Sequence, residues 1–268
     1  MATWQEAGRV RHGRRRVAAV LLGTGLVAPN AAAAPAGAPV WQVAIAHDFH
    51  LPGDDPPVHY YPPAAAQFDT TGVLRAFGDG GAVTWDLPVG HSGNDGIIAW
   101  GRWGHGSTGG DGRHGGVDIT GGEGVRNAIY YVAGSTPEVL QGAARYSLLG
   151  GQVAPTAGEG GMAATTFLEN GALEADFGTG KITLKLAITV PSGRYDLTAS
   201  GLHIDGARIS MTADSRLQVT GVLCFAGCAA TLHGFFAGAD GERVGLAYNI
   251  DIEALSEDMN GVVAWRRD

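Results

Sequence analysis

A strict alternation of apolar and polar positions marks the clearest element of this chain, at Lys181–Val190. Every second residue in it is apolar, namely Ile182, Leu184, Leu186, Ile188 and Val190. A period of two predicts a β-strand with one buried face and one solvated face. A shorter alternating run at 172–177 precedes it, and Gly178 and Gly180 between the two runs permit a tight turn. The two runs therefore predict a β-hairpin.

Similar short runs, separated by glycine clusters, continue through most of the chain from residue 85 onward. They predict roughly ten to twelve strands, among them segments 96–103, 128–132, 143–149, 195–202, 207–211, 216–225, 228–237, 243–250 and 261–265. No amphipathic helix is evident among them. Closing an antiparallel sheet on itself removes its edges, so we favour a barrel over a sandwich. The fold class we predict is all-β, an antiparallel up-and-down β-barrel within a domain at 85–268.

Residues 35–84 differ from this pattern because they are rich in Ala, Pro and Asp. The prolines are closely spaced, at Pro52, Pro56, Pro57, Pro62 and Pro63. Proline lacks the N–H that a helix or a sheet ladder uses, and its φ is fixed. We predict a Pro/Ala-rich linker or irregular cap here, an N-terminal extension to the barrel.

Residues 1–34 have the layout of a secretory signal peptide. Five arginines precede an apolar run at 17–28, and small residues follow at 31–34. The apolar run is shorter than the ~20 residues that a spanning helix needs. The arginines at 14–16 fit a twin-arginine signal as well as a general secretory leader. We expect an exported protein, periplasmic or at the cell surface or secreted, with no lipobox cysteine because none precedes Cys224.

The negative net charge of the chain disfavours one class of partner, nucleic acid. The whole chain has a net charge of −8, and removing residues 1–34 takes away five of the 18 basic and one of the 26 acidic side chains, which leaves −12. Such a protein repels nucleic acid. We therefore expect no nucleic-acid partner.

The only two cysteines, Cys224 and Cys228, are separated by three residues. Residues opposed across an antiparallel pair lie close enough for a disulfide, and an exported compartment permits oxidation. We predict a Cys224–Cys228 disulfide that staples a hairpin. Two buried thiols, or half of a metal site with His233, are the alternatives.

Several short motifs follow one another in an order that resembles the β-barrel domain of the transferrin-binding protein B family. They are DGIIAWGRW at 95–103, YYVAG at 130–134 with Thr136-Pro137, ARYSLLGG at 144–151 with APT at 154–156, ADFGTG at 175–180 and GFFAGA at 234–239. The resemblance covers about residues 95–268 and implies an eight-stranded antiparallel barrel with a binding role. It places no ligand-binding residue on this sequence, and transferrin binding itself is not expected.

One segment concentrates imidazole and carboxylate groups, at His47, Asp48, His50, Asp54, Asp55 and His59. His47 and His50 could bind a metal with Asp54 or His59, but prolines break the segment and offer no regular element to fix ligand geometry. A solvated loop is the preferred interpretation, so we predict no metal site. His91, His105 and His114 lie in glycine-rich segments that we expect to be loops.

Catalytic signatures are missing from the sequence. There is no Gly-x-Ser-x-Gly elbow, no His-Glu-x-x-His and no phosphate-binding loop. Glu174 and Asp176 share one strand face and could form a glycosidase-like pair, although such pairs commonly only solvate a strand. The tryptophans are expected to pack in the core rather than to line a ligand surface; they are Trp85, Trp100, Trp103 and Trp265.

The expected function is therefore a non-enzymatic binding or structural protein of the cell envelope, with no cofactor and with an unknown protein or small-molecule ligand. The alternative is a small outer-membrane β-barrel, and possible outer-membrane association stays open. Transmembrane strands run to about 9–11 residues with aromatic girdles, whereas most strands predicted here are shorter. An exported metal-dependent enzyme using the His47 segment is a third alternative.

Overall fold

β-strands form the regular structure of this chain. The computed structural model describes residues 40–47, 57–77, 83–85, 89–104, 108–109, 128–153, 167–191, 193–224, 227–252 and 257–268, which belong to one unit, Ala33–Asp268. Within these ranges, no helical segment combines the length and the apolar character that crossing a membrane requires.

Nine strands precede the barrel along the chain and form two antiparallel sheets. They are β1 (Trp41–His47), β2 (Val58–Ala64), β3 (Ala66–Phe68), β4 (Leu74–Phe77), β5 (Val83–Trp85), β6 (Val89–Asn94), β7 (Ile98–Gly104), β8 (Thr108–Gly109) and β9 (Ala128–Ser135). The first sheet has five strands in the order β2-β1-β9-β7-β6, and the second has four in the order β3-β4-β5-β8. We call them the large and the small N-terminal sheet.

The irregular structure expected for residues 35–84 is wrong for the described part of that segment. β1 is buried along its whole length, and a strand covered on both faces reads as a continuous apolar run rather than an alternation. β2 contains Pro62 and Pro63 but pairs only with β1, at the edge of the large sheet. An edge strand tolerates prolines because one side of its ladder makes no sheet hydrogen bonds.

The remaining strands close into the barrel. They are β10 (Ala143–Val153), β11 (Phe167–Asp176), β12 (Lys181–Val190), β13 (Gly193–Asp205), β14 (Arg208–Ser210), β15 (Arg216–Gly221), β16 (Ala229–Ala237), β17 (Arg243–Ile252) and β18 (Glu257–Arg267). Successive strands pair antiparallel, and β18 pairs back with β10. β14 and β15 pair with different parts of β13 and together occupy one position in the wall. The prediction of an eight-stranded up-and-down barrel is confirmed.

The turns lie where the sequence predicts them. Gly180 and Gly206 have φ of 65° and 58°, a conformation that favours glycine. Asp176 Oδ1 accepts hydrogen bonds from the backbone N–H groups of Gly178 (2.9 Å) and Thr179 (3.2 Å), which fixes the β11–β12 turn. Several barrel strands are longer than expected: β10 has 11 residues and β13 has 13. Strand length therefore does not argue against the outer-membrane alternative.

The protein has a layered core. Inward-facing side chains of the barrel strands form one apolar cluster, which includes Tyr146, Leu184, Tyr248 and Trp265. A second cluster lies between the outer face of β16–β18 and the large sheet. A third joins the opposite face of the large sheet to β4 of the small sheet. The large sheet is thus packed between the small sheet and the barrel wall.

Candidate functional site

Side chains fill the interior of the barrel. Trp265, Tyr146, Tyr195, Tyr248 and Phe236 are among the largest fully buried residues, and all belong to the interior cluster. The predicted core role of Trp265 is therefore confirmed. A barrel packed in this way differs from the lipocalin type, in which eight strands enclose one small ligand. We therefore sought the functional site on the outside of the wall.

The contact between the large sheet and the barrel wall, which we call the seam, is tightly packed and depends on glycines. A Cβ at Gly150 of β10 would lie 2.4 Å from Trp100 Cζ2, and one at Gly93 of β6 would lie 2.1 Å from the same atom. A Cβ at Gly245 would lie 2.7 Å from Val132 Cγ2. At Gly150 and Gly245 a side chain of the large sheet occupies the space of a Cβ, whereas at Gly93 the Trp100 indole of the neighbouring strand occupies it.

A polar network crosses the seam. Gln42 Nε2, on β1, donates a 2.6 Å hydrogen bond to the carbonyl oxygen of Phe236 in the barrel wall. Tyr60 Oη, on β2, donates to Gln42 Oε1 at 2.9 Å. Gln42 is completely buried, so these two bonds satisfy an amide that would otherwise be costly to desolvate. The network fixes the position of β2 over β16.

Two basic side chains of the barrel wall, Arg208 and His233, face this edge of the sheet. The Arg208 guanidinium carbon lies 5.0 Å from the centre of the Tyr60 ring, a cation–π contact. Arg208 is paired with Phe235 across β14 and β16, so His233, two residues earlier, lies diagonally across on the same face. We call Tyr60, Arg208 and His233 the seam cluster.

Basic groups outnumber acidic groups around the seam cluster. Burial lowers the pKa of His233, and the charges of Arg208 and His59 lower it further. Burial raises the pKa of Tyr60, an effect that Arg208 opposes and Asp205 adds to. The effects on His233 favour the neutral form of its imidazole. The cluster combines a fixed cation, a titratable imidazole and a phenol.

The solvated-loop interpretation of the His47 segment is wrong for His47 itself. His47 is only 2 % exposed at the end of β1. Its Nε2 lies 3.1 Å from Nε2 of His59 on β2, and the two rings are nearly parallel. Neighbouring strands therefore bring together two imidazoles that are twelve residues apart in sequence.

The other candidates of that segment, His50, Asp48, Asp54 and Asp55, lie outside the described residues. Across the described ranges, no three His, Cys, Asp or Glu side chains are grouped so that they could hold a metal ion. His105 and His114 also fall outside these ranges, as do the side chains of His91, Trp85 and Trp103.

The predicted disulfide is present in the structure. Cys224 and Cys228 are bonded with a Cα–Cα distance of 5.2 Å. The local geometry differs from the expected opposed pair, because β15 ends at Gly221 and Cys228 is paired with Val219 instead. The bond therefore connects a turn residue to the start of the next strand, at the point where β15 meets β16.

Glu174 and Asp176 share the outer face of β11 but have separate structural partners. Glu174 pairs with Arg145 of β10 at 3.1 Å, and both side chains are well exposed. Asp176 holds the turn described above, and its hydrogen bonds to Thr179 and Gly178 lower the pKa of its carboxyl. This arrangement gives the two carboxylates a structural role.

Sequence reasoning missed the seam cluster. Tyr60 precedes a proline pair, Arg208 follows the Asp205-Gly206 turn, and His233 was considered only as a neighbour of the cysteines. No local pattern links three residues that lie up to 173 positions apart. Only the packing of β2 on β14 and β16 brings them together.

The sequence matches no protein-family model and no curated protein. Its fold is similar to solved structures of transferrin-binding protein B, the family that the sequence motifs resemble. One, a double mutant from Haemophilus parasuis Hp5, is 10 % identical with a TM-score of 0.42, and the match covers 85 % of this chain and 45 % of that one. A single mutant of the same protein is 11 % identical with a TM-score of 0.40, covering 80 % and 47 %.

The isotype 1 protein from serogroup B Neisseria meningitidis is 15 % identical with a TM-score of 0.42, and the match covers 85 % of this chain and 44 % of that one. The chain thus spans less than half the length of the structures that it matches. We take the fold from the strand pairings above and transfer no residue, ligand or activity from these structures.

Proposed function

We propose that this chain is an exported binding protein of the cell envelope whose barrel presents its outer surface to a protein partner. The observation that carries the proposal is the packed barrel interior, which is occupied by Trp265, Tyr146, Tyr195, Tyr248 and Phe236. A ligand is then bound on the outside of the wall. Surfaces of this kind suit macromolecules better than small molecules, which need concave sites.

The free part of the wall is suited to such contacts. The large sheet covers β16–β18, whereas the outer faces of β11, β12, β13 and β15 are solvent-exposed. Charged side chains of both signs lie on this free wall: Glu169, Glu174, Lys181, Lys185, Arg194, Asp196 and Arg216. Mixed charge favours a specific, oriented encounter with a complementary partner.

The polarity of the wall supports a water-facing barrel over the outer-membrane alternative. A transmembrane barrel presents an apolar band to lipid and keeps its interior polar. Here the apolar side chains of β12 point inward, and Lys181, Thr183 and Lys185 point outward and are exposed. Placing these lysines in lipid would cost about 2–4 kcal/mol each at the bilayer midplane.

Export is supported by two independent features of the chain. The arginine-rich, apolar and small-residue regions of residues 1–34 follow the order of a secretory leader. The Cys224–Cys228 disulfide is of a kind that persists in oxidising compartments. The function proposed here needs no catalytic residue and no cofactor, and transferrin is not proposed as the partner.

Export is tested by fusing residues 1–40 to a reporter enzyme that is active only outside the cytoplasm. We expect activity, and we expect mass spectrometry of the exported full chain to place the new N-terminus near residue 35. An inactive fusion would refute export. Alkaline carbonate extraction separates the alternatives, because a water-facing barrel is released and an outer-membrane barrel is retained.

Binding is tested with a photoreactive amino acid placed at Thr183 on the free wall. The matched control is Asp240, which is exposed at the β16–β17 turn. We expect a discrete cross-linked protein from Thr183 and none from Asp240. Equal cross-linking at both positions, or cross-links to lipid alone, would contradict the proposed binding face.

A further inference from the structure

We propose that the seam cluster is a binding site for an oxyanion, a carboxylate or phosphate group held by Arg208 and His233. The two side chains project from neighbouring strands, β14 and β16, on the wall face that meets the edge of the large sheet. Both side chains are half-buried. This inference concerns a defined small site and does not depend on export.

The first argument is that the buried Nε of Arg208 has no hydrogen-bond acceptor among the described residues. Its side-chain contact is the face of the Tyr60 ring, which engages the cation without accepting its N–H groups. Arginines in half-buried positions are normally paired, because desolvating the charge is costly.

Two other partly buried arginines, Arg243 and Arg75, are each paired with a carboxylate, whereas the buried Nε of Arg102 on β7 has no acceptor among the described residues. Arg243 donates to Asp95 Oδ2 at 2.6 Å across the seam, with side chains that are only 21 % and 26 % exposed. Arg75 pairs with Asp69 at 2.7 Å. Arg208 lacks an equivalent carboxylate, and a bound oxyanion would take the place that Asp95 occupies for Arg243.

The second argument is that His233, beside Arg208, also has a buried nitrogen without a hydrogen-bond partner among the described residues. This nitrogen is Nδ1, and burial, together with the charges of Arg208 and His59, lowers the pKa of the ring. An anion between the imidazole and the guanidinium would reverse that electrostatic effect and favour the protonated ring. Binding and protonation of His233 should therefore reinforce each other.

The charged and titratable groups that face the site come from four strands, β2, β13, β14 and β16. Arg208 and His233 belong to the barrel wall, and Tyr60 and His59 belong to β2. Asp205, at the end of β13, is the carboxylate whose charge reaches the cluster. The planar guanidinium edge selects carboxylate or phosphate oxygens, which it can bind with two parallel hydrogen bonds.

The site is tested by titrating the exported form of the chain with inorganic phosphate, sulfate and acetate at constant ionic strength. The readouts are calorimetry and the ring resonances of His233 by NMR. We expect saturable binding, a change at His233, and tighter binding at pH 6 than at pH 8. A glutamate-containing tripeptide tests the other source of the same chemistry, an acidic side chain of a partner.

Variants identify the residues. Arg208→Gln should weaken binding by about 10- to 100-fold, which is the range of a charge-assisted hydrogen bond. Arg208→Lys keeps the charge and should give an intermediate loss. Arg266→Gln, at an exposed arginine on β18, should leave affinity within about twofold. Asp205→Asn should tighten binding because it removes the competing carboxylate.

Circular dichroism and the melting temperature show whether each variant is folded. Anions that do not bind, or that bind Arg208→Gln and Arg266→Gln equally well, overturn the proposal. If only the free anions bind, the site takes a small ligand. If the tripeptide binds more tightly than acetate, the site takes an acidic side chain.

Discussion

The seam between the large sheet and the barrel can be tested by placing a side chain where Trp100 now lies. A Cβ at residue 150 would lie 2.4 Å from Trp100 Cζ2, about 1 Å closer than ordinary carbon contacts allow. The indole also occupies the space of the missing Cβ at Gly93, 2.1 Å from the same atom. Gly150→Val must therefore displace Trp100 or separate the two layers.

The expected magnitude follows from overpacking. Inserting such a group into a packed interior costs about 1–3 kcal/mol, and for a domain of this size each kcal/mol lowers Tm by about 2–4 °C. The assay is urea unfolding followed by far-ultraviolet circular dichroism. Gly178→Ala is the control, because that turn glycine has only the Asp176 carboxylate nearby, at 3.2 Å, and we expect a change within about 0.5 kcal/mol.

A double-mutant cycle makes the test specific. In a Trp100→Ala background the clash is absent, and a valine at 150 fills part of the space that the indole leaves. Gly150→Val should then be neutral or stabilising, so its effect changes sign between the two backgrounds. An equal loss of stability in both backgrounds would refute the contact between Trp100 and Gly150, and with it the described packing of sheet on barrel.

Three further results are expected. The double variant Cys224→Ser/Cys228→Ser should lower the free energy of unfolding by about 2 kcal/mol, because the unfolded chain gains loop entropy. A reductant should reproduce this loss in the wild type only. An unchanged urea midpoint would show that the bond does not constrain the unfolded chain. Asp69 has its pKa lowered by hydrogen bonds from Thr71, Val73 and Arg75. Because the folded-state pKa is lowered, the ionised Asp69 stabilises the folded protein above the unfolded-state pKa near 3.8, and this stabilisation is lost as the pH falls below it. Asp69→Asn should therefore lower Tm at pH 7 but less at pH 3. An equal loss of Tm at both pH values would contradict this. Tyr248→Phe removes a buried hydroxyl that has no acceptor among the described residues. The free energy of unfolding should therefore be unchanged or higher by up to about 1 kcal/mol. A loss above about 1 kcal/mol would show that the hydroxyl has a partner.

The barrel was predictable because its signal is local. In Lys181–Val190 the polarity of each residue matches its burial, because burial of one strand face produces an apolar residue at every second position. Gly180 and Gly206 mark turns for an equally local reason, because each adopts a positive φ. The cysteine pair was predictable from its spacing, although the hairpin geometry around it was not.

The large sheet was less visible because its signal depends on neighbours. β1 is apolar on both faces only because the barrel covers Ala44 and Ala46 and the small sheet covers Val43 and Ile45. A continuous apolar run of this length is ambiguous by periodicity alone. The prolines of β2 suggested irregular structure for the same reason. A strand can contain them only at the edge of a sheet, and whether a strand lies at an edge depends on its neighbours and not on its own sequence.

The sequence alone thus determined the strands of the barrel wall, the disulfide partners and the acidic character of the chain, because each depends on residues near one another in sequence. Tertiary structure decided the functional surface. Arg208, His233 and Tyr60 come from three strands of two different sheets, and their charge and burial arise only when β2 packs on the barrel wall. Pair interactions across more than a hundred residues leave no periodic pattern, so only the folded chain shows them.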